Sequence, residues 1–287
     1  MTRDVNLTFP AKKSAGNLYL GARVFPHTRT WVGQAAGPVK LSLPAGDLLG
    51  IALSYEFEEK QCSELSDFTS LDLSMCAYSS DILLGALSST KLKELRLDFQ
   101  SLSISDCENI ARVQTLETLW LTGTSVRDEH LGKLQSLSLS NLAIKNTAIS
   151  DQGFEYLAKF PALTRLHAPT TITNSGTAKL SQSKTLSELD VSFSQITDDA
   201  LSALAAMPKL EALYLNDTAI QDQAIANLKQ AKVKVLFLNG TKISDQCLGD
   251  LGSMQSLEHL ELRDTRITEI GAARLRSRLK DCAIFGP

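Results

Sequence analysis

His167, Asp190 and Ser192 are the residues of this chain whose types come closest to a chemical constellation. An imidazole beside a carboxylate, with a serine on the same face, is the set a hydrolase uses to activate a hydroxyl. The spacing brings His167 and Asp190 together only if two short strands lie side by side, about 4.8 Å apart. Ser192 would then fall on the far side of Asp190 along its own strand, and neither a nucleophile elbow nor a glycine-rich oxyanion site accompanies it. Arg165 and Glu188 repeat the same cross-strand match one position away. Two opposite-charge pairs in a ladder read more simply as matched sheet surface, worth about 0.2–1 kcal/mol each. Hydrolysis is therefore a remote alternative.

The remaining reactive residue types are scattered. Cys62, Cys76, Cys107, Cys247 and Cys282 form no Cys-x-x-Cys or Cys-x-x-His pair, so the spacing supports no metal site. Cys107 and Cys247 occupy apolar positions and read as buried reduced thiols, as expected of a reducing compartment. Gly16, Gly21 and Gly46 belong to no phosphate-binding loop. No cofactor and no catalytic residue is expected.

Those side chains need elements to position them, and the elements announce themselves through leucine. The chain has 287 residues, 43% of them hydrophobic and 21% charged, with a net charge of -3 and 47 leucines. That composition belongs to a folded protein with a sizeable core. The mildly acidic balance and the lack of any basic tract argue against a nucleic-acid partner. No apolar run reaches the roughly 18 to 20 residues that cross a bilayer. The first residues lack the apolar core of a secretory signal, so a cytosolic location is expected.

The leucines recur in register. Leu-x-Leu or its equivalent begins at Leu71, Leu95, Leu119, Leu142, Leu166, Leu189, Leu213, Leu236 and Leu260, at steps of 23 or 24 residues. A hydroxyl residue follows (Thr124, Thr147, Thr170, Ser194, Thr218, Thr241, Thr265), then a β-branched aliphatic such as Ile220, then Asp, Asn or Glu before further apolar residues at helical spacing. The alternating triplet is a short strand. The Thr hydroxyl can satisfy a backbone group where the chain turns inward. The acid is placed to cap the helical turn after it. No unit can bury its leucine face alone, so the units must stack, strand beside parallel strand.

On these residues the sequence resembles the leucine-rich repeat family, in the bacterial 23–24-residue form with Thr where commoner versions carry Asn. The resemblance covers residues 67–287. It implies an α/β leucine-rich repeat solenoid, right-handed, with a curved parallel sheet on the concave side and short helices on the convex side. Two units depart from the pattern: the Leu92 unit carries Gln100 at the hydroxyl position, and the Leu166 unit is one residue short, with Pro169 after its strand.

Three parts are expected: residues 1–66 as a β-rich cap or module, 67–274 as about nine repeats, and 275–287 as a C-terminal cap built on Leu275, Leu279, Cys282 and Ile284. In the first part, residues 39–43 and 49–53 alternate around a Pro-Ala-Gly-Asp turn and read as a hairpin. Leu18–Leu20 offers a further strand, Trp31 a core side chain, and 58–65 a short helix.

The middle residue of each triplet should point to the concave side. That column reads Asp72, Arg96, Trp120, Ala143, His167, Asp190, Tyr214, Phe237 and Glu261, flanked by residues such as Asn216, Asn239, His259 and Arg263. Exposed aromatics beside Arg and Asn are the make-up of a binding hot spot. Arg96, Trp120, His167, Asp190, Tyr214, Phe237 and Glu261 are accordingly the candidate partner-binding residues. Nine strands at about 4.8 Å span roughly 38 Å, which suits a protein or a long peptide better than a metabolite. The resemblance agrees, since such repeats usually recognise proteins. A non-enzymatic protein-interaction scaffold is the leading expectation, with a monomer favoured, and an exported adhesion protein is the alternative.

Overall fold

A three-residue strand every 23 or 24 residues requires a chain that turns out of the sheet as soon as it has entered it. The computed structural model describes residues 2–8, 16–21, 30–34, 36, 38–44, 48–53, 65, 68–74 and 84–286. They fall into two compact units, Met1–Val126 with Gly132–Leu139, and Arg127–Leu131 with Ser140–Pro287.

In the first unit, strand β1 (Thr2–Thr8) pairs antiparallel with β4 (Pro38–Pro44) as a separate two-stranded sheet. Strand β2 (Gly16–Gly21) lies between β3 (Thr30–Gln34) and β5 (Leu48–Leu53), antiparallel to both. The repeats then begin on the free side of β5. Strands β6 (Ser70–Asp72), β7 (Glu94–Arg96) and β8 (Thr118–Trp120) add in parallel, one after another. The expected hairpin between residues 39–43 and 49–53 is thus replaced: both segments are strands, but β4 pairs with β1, and β5 bridges β2 and the first repeat strand. The helix expected at 58–65 lies, apart from Leu65, outside the described residues, as do the side chain of Trp31 and the cysteines Cys62 and Cys76.

The second unit is a parallel ladder of seven strands: β9 (Asn141–Ala143), β10 (Arg165–His167), β11 (Glu188–Asp190), β12 (Ala212–Tyr214), β13 (Val235–Phe237), β14 (His259–Glu261) and β15 (Ala283–Phe285). Short helical pieces return the chain between strands, among them Asn174–Leu180 and Ala200–Ala205, and the longest, Glu269–Arg278, precedes β15. Both inward residues of each Leu-x-Leu or equivalent triplet are buried, from Leu142 and Ile144 through Leu213 and Leu215 to Leu260 and Leu262. Each such side chain contributes about 1.5–3 kcal/mol. The architecture is the α/β leucine-rich repeat solenoid.

The turn out of the strand has a fixed backbone. Phe99, Gly123, Asn146, Phe193, Asp217, Gly240 and Asp264 occupy one repeat position and all hold φ between 53° and 68°. This left-handed region costs a residue with a Cβ about 1–2 kcal/mol, which glycine escapes and Asn or Asp offset by local hydrogen bonds. Next to it, the hydroxyls of Thr124, Thr147, Thr218, Thr241 and Thr265 donate to the carbonyl three residues back, at 2.6 to 2.8 Å. This is the backbone satisfaction expected of them. Gln100 replaces that bond by donating its amide to the Leu73 and Ser74 carbonyls, 3.1 Å each.

The acids act otherwise than expected. The N-caps are the preceding hydroxyl residues: Thr173, Ser244 and Thr268 accept from the backbone N–H groups of Ser175, Gln246 and Gly271. Each acid instead crosses to the next repeat and accepts from that cap residue's own N–H and O–H. Asp151 does so with Thr173, Asp222 with Ser244, and Asp245 with Thr268. A carboxylate accepting two charge-assisted bonds holds a cap better than a neutral group would, and the result is a clamp from repeat to repeat.

Candidate functional site

The outward residues of the triplets form the candidate site, because the ladder register lines them up and the leucines beside them are fully committed to the core. In the first unit the row is Asp72, Arg96 and Trp120. Trp120 stands on this row, as expected, yet it is only 8% exposed. The Arg96 guanidinium lies 4.5 Å from its ring centre, a cation–π contact, and its indole N–H donates to the Glu94 carboxylate at 3.0 Å. Arg96 also approaches the Asp98 carboxylate at 3.6 Å. The chain itself roofs this aromatic.

In the second unit one row runs Ala143, His167, Asp190, Tyr214, Phe237, Glu261 and Phe285. Ala143 and Glu261 are buried, while His167, Tyr214 and Phe237 are part-exposed. The expected His167–Asp190 pair forms, at 3.4 Å, but Asp190 has a stronger partner in Lys145, whose ammonium is 2.6 Å away. Burial pushes the Asp190 carboxyl up, and the bonds from His167 and Lys145 overcome it and hold the group well below the usual carboxylate range. Ser192 is 2% exposed and accepts from the Asn216 N–H and amide, at 3.2 and 3.3 Å. A hydroxyl so placed is covered from substrate. Arg165 and Glu188 meet at 4.0 Å, a weak surface pair.

The Asn216 and Asn239 side chains, expected among the contact residues, are engaged within the sheet. Asn216 accepts from the Asn239 N–H at 3.0 Å, and Asn239 from the Arg263 N–H at 2.7 Å. What is left on the face is aromatic. Tyr214 and Phe237 have ring centres 4.7 Å apart, Phe237 stacks on His259 at 5.1 Å, and His259 meets Phe285 at 4.9 Å. Four rings thus form a continuous row over strands β12 to β15. Burial first, and then the neighbouring Glu188 carboxylate, push the Tyr214 phenol up to about 12, so it stays a neutral hydrogen-bond donor. Glu261, beneath the row, takes His259 at 3.2 Å and Arg263 at 3.5 Å.

Phe285, Lys145, Phe193 and Phe99 are the contributors that sequence reasoning passed over. Phe285 stands opposite Glu261, one full period on, and extending the period through the last strand would have found it. Phe99 and Phe193 break the glycine, asparagine and aspartate pattern at the left-handed position, and they are 74% and 61% exposed. Among the described residues no group of three or more His, Cys, Asp or Glu is placed to hold a metal ion, and no helix is long and apolar enough to cross a membrane.

Stacked strand-and-helix units with a fixed turn, a Thr-to-carbonyl bond and a patterned outer row define a class of repeat protein. The leucine-rich repeat family model matches residues 182–205. The crystal structure of an internalin (InlF) from Listeria monocytogenes is similar at 24% identity and a TM-score of 0.55, over 82% of this chain and 66% of that one. A second, internalin C2 from the same organism, is 20% identical with a TM-score of 0.44, over 65% of this chain and 84% of that one. The chain spans just under two thirds of the first internalin. No curated protein matches it. The chain has the leucine-rich repeat fold, and residues 182–205 match that family's repeat.

Proposed function

We propose that this protein is a non-enzymatic scaffold that takes a protein or peptide partner on the concave face of its repeats, chiefly over strands β12 to β15. The observation that carries this is the row Tyr214–Phe237–His259–Phe285. Rigid rings with few rotatable bonds, collected on one face, supply contact area at low entropic cost, which is the property of interface anchors. His167, Asp190 and Glu261 frame the row. Arg96 and Trp120 contribute a packed, prearranged edge in the first unit, which supports binding less directly than the open rings do. A cytosolic, monomeric protein is part of the same reading.

The test is affinity capture from source-cell lysate, comparing wild type with Tyr214→Ala/Phe237→Ala by quantitative mass spectrometry. Partner retention should be lost while circular dichroism and the melting transition stay within about 2 °C of wild type, since both rings are outside the core. Unchanged retention by a folded double variant would move the interface off this face. Cell fractionation checks the location.

A further inference from the structure

On the helical side of the repeats one position is used for ion pairs between neighbours. Glu108 and Glu155 each stand two residues before a buried aliphatic, Ile110 and Leu157. Each meets the lysine that precedes the matching leucine one repeat on, Lys133 at 2.6 Å and Lys179 at 2.9 Å. The position carries a cation a third time, Arg274 before Leu275, and there the acid is missing. Gly249, two residues before Leu251, stands where the two glutamates stand. Packing does not call for a glycine, since a Cβ at Gly249 would meet nothing within 4 Å, and helix propensity opposes one.

Where the glutamate would lie, a cleft of about 160 Å³ opens between the helices Leu248–Leu251 and Glu269–Arg278. It is lined by Asp245, Leu248, Gly249, Arg274, Leu275 and Arg278. Among the described residues neither Arg274 nor Arg278 forms an ion pair. Asp245 feels the Arg274 charge without pairing, and its two oxygens already accept from the Thr268 N–H and hydroxyl, at 2.9 and 2.7 Å. Asp250, beside Gly249, is matched by Lys229 at 2.6 Å. Two guanidiniums thus face one engaged carboxylate, and the cleft keeps a surplus of positive charge. Gly252 gives Arg278 its place, since a Cβ there would come within 2.8 Å of the Arg278 Cδ.

We infer that this cleft is a carboxylate-binding site, in which an acid from outside the chain takes the place that Glu108 and Glu155 hold in their own repeats. A guanidinium presents a planar fork of donors that matches a carboxylate. The volume falls well short of the roughly 300 Å³ of a pocket for a drug-sized molecule, so the ligand is the end of an acidic side chain on a protein segment or a small free dicarboxylate. The site is on the helical side and does not rest on the concave-face reading.

The test is isothermal titration calorimetry of the full chain in about 0.05 M NaCl, where screening is weak. The probes are acetyl-(Glu)4-amide, its glutamine counterpart, glutarate and inorganic phosphate. The glutamate peptide should bind and the glutamine peptide should not. Tighter binding of the peptide than of glutarate assigns the ligand to a protein segment, and equal or tighter binding of glutarate assigns it to a free acid; both support a carboxylate site. Arg274→Gln should weaken binding about tenfold or more, as for a lost charge-assisted bond. Gly249→Glu should weaken it as much without lowering the urea midpoint, because the chain then supplies its own carboxylate. Gly249→Ala adds a methyl in open space and should keep it. Phosphate binding tighter than either acid would overturn the carboxylate assignment. Undiminished binding by folded Arg274→Gln or Gly249→Glu would overturn the site, as would no binding of any acid by roughly 10 mM. Tyr214→Ala/Phe237→Ala should bind as wild type does; loss there alone would put the ligand on the concave face and overturn this inference while sparing that reading.

Discussion

The hydroxyl at the turn gives a perturbation whose size can be worked from the geometry. Thr241 is 3% exposed, and its Oγ1 donates to the Leu238 carbonyl at 2.6 Å. Thr241→Val keeps the shape and removes the donor. The Leu238 oxygen is not orphaned, because the Thr241 N–H still reaches it at 3.2 Å. The loss should therefore be the net value of one hydrogen bond, about 1 kcal/mol, and not the larger desolvation penalty of an unpaired group. With a urea slope of about 3 kcal/mol/M for a chain of this size, the midpoint falls by about 0.3 M. Ser194 supplies the control at the same repeat position, since its buried hydroxyl makes no bond. Ser194→Ala should shift the midpoint by less than about 0.1 M in the destabilising direction, or raise it. Urea titration of the two variants followed by circular dichroism decides the matter. Equal losses from both, or no loss from Thr241→Val, would refute the assignment of the bond as the stabilising element of the turn.

Acid should loosen the repeats. The Asp245 carboxyl is held below its ordinary value of 3.8 by the Thr268 N–H and then its hydroxyl, and Asp190 lies lower still through His167 and Lys145. A carboxyl depressed in the folded state adds stability that is complete above its unfolded value and disappears as pH falls through the folded one. Urea midpoints should thus be flat above about pH 5 and decline below about pH 4, with a shallower decline in Asp190→Asn/Asp245→Asn. Gly176→Ala should destabilise by about 1–3 kcal/mol in spite of better helix propensity, because the new methyl would meet the Asp151 carboxylate and come within 2.8 Å of the Ile172 side chain; a stabilised variant in the same titration would show that the clamp gives way freely. Burial pushes the Cys107 and Cys247 thiols up to about 12. In a variant keeping only those two cysteines, reaction with a disulfide reagent at pH 8 should follow the rate of unfolding, and rapid labelling of the folded protein would contradict their burial.

Most of the repeat architecture was legible because a single residue type carries it. The spacing of Leu166, Leu189 and Leu213 sets the strand register, so that His167, Asp190 and Tyr214 fall in one row as expected. What escaped depends on contacts with no period. The pairing of β1 with β4 joins segments some thirty residues apart, and nothing in the alternation of residues 39–43 says which neighbour they choose. Trp120 was readable as outward but not as covered, since its cover comes from the conformations of Arg96 and Glu94. Sequence alone assigns the acids as caps of their own helices, because Asp and Ser or Thr are both good caps. Only the three-dimensional stacking shows that the hydroxyl residue does the capping and the acid reaches across. The exposed Phe193 was invisible for a different reason: an apolar letter near a strand looks like core until the sign of its φ is known.

That crossing bond has a direction. From Asp151 through Asp245, the side-chain acceptor belongs to the earlier repeat and the backbone N–H that donates to it belongs to the later one, while Asn174 in addition donates its amide forward to the Thr197 hydroxyl. A chain leaves the ribosome amino end first, so every new coil emerges beside an acceptor that is already in place. At this cap growth is vectorial: each finished coil is the template that stops the next helix from fraying. Nearest-neighbour stacking makes such proteins nucleate and propagate, and here the polarity of one carboxylate sets the sense in which propagation runs.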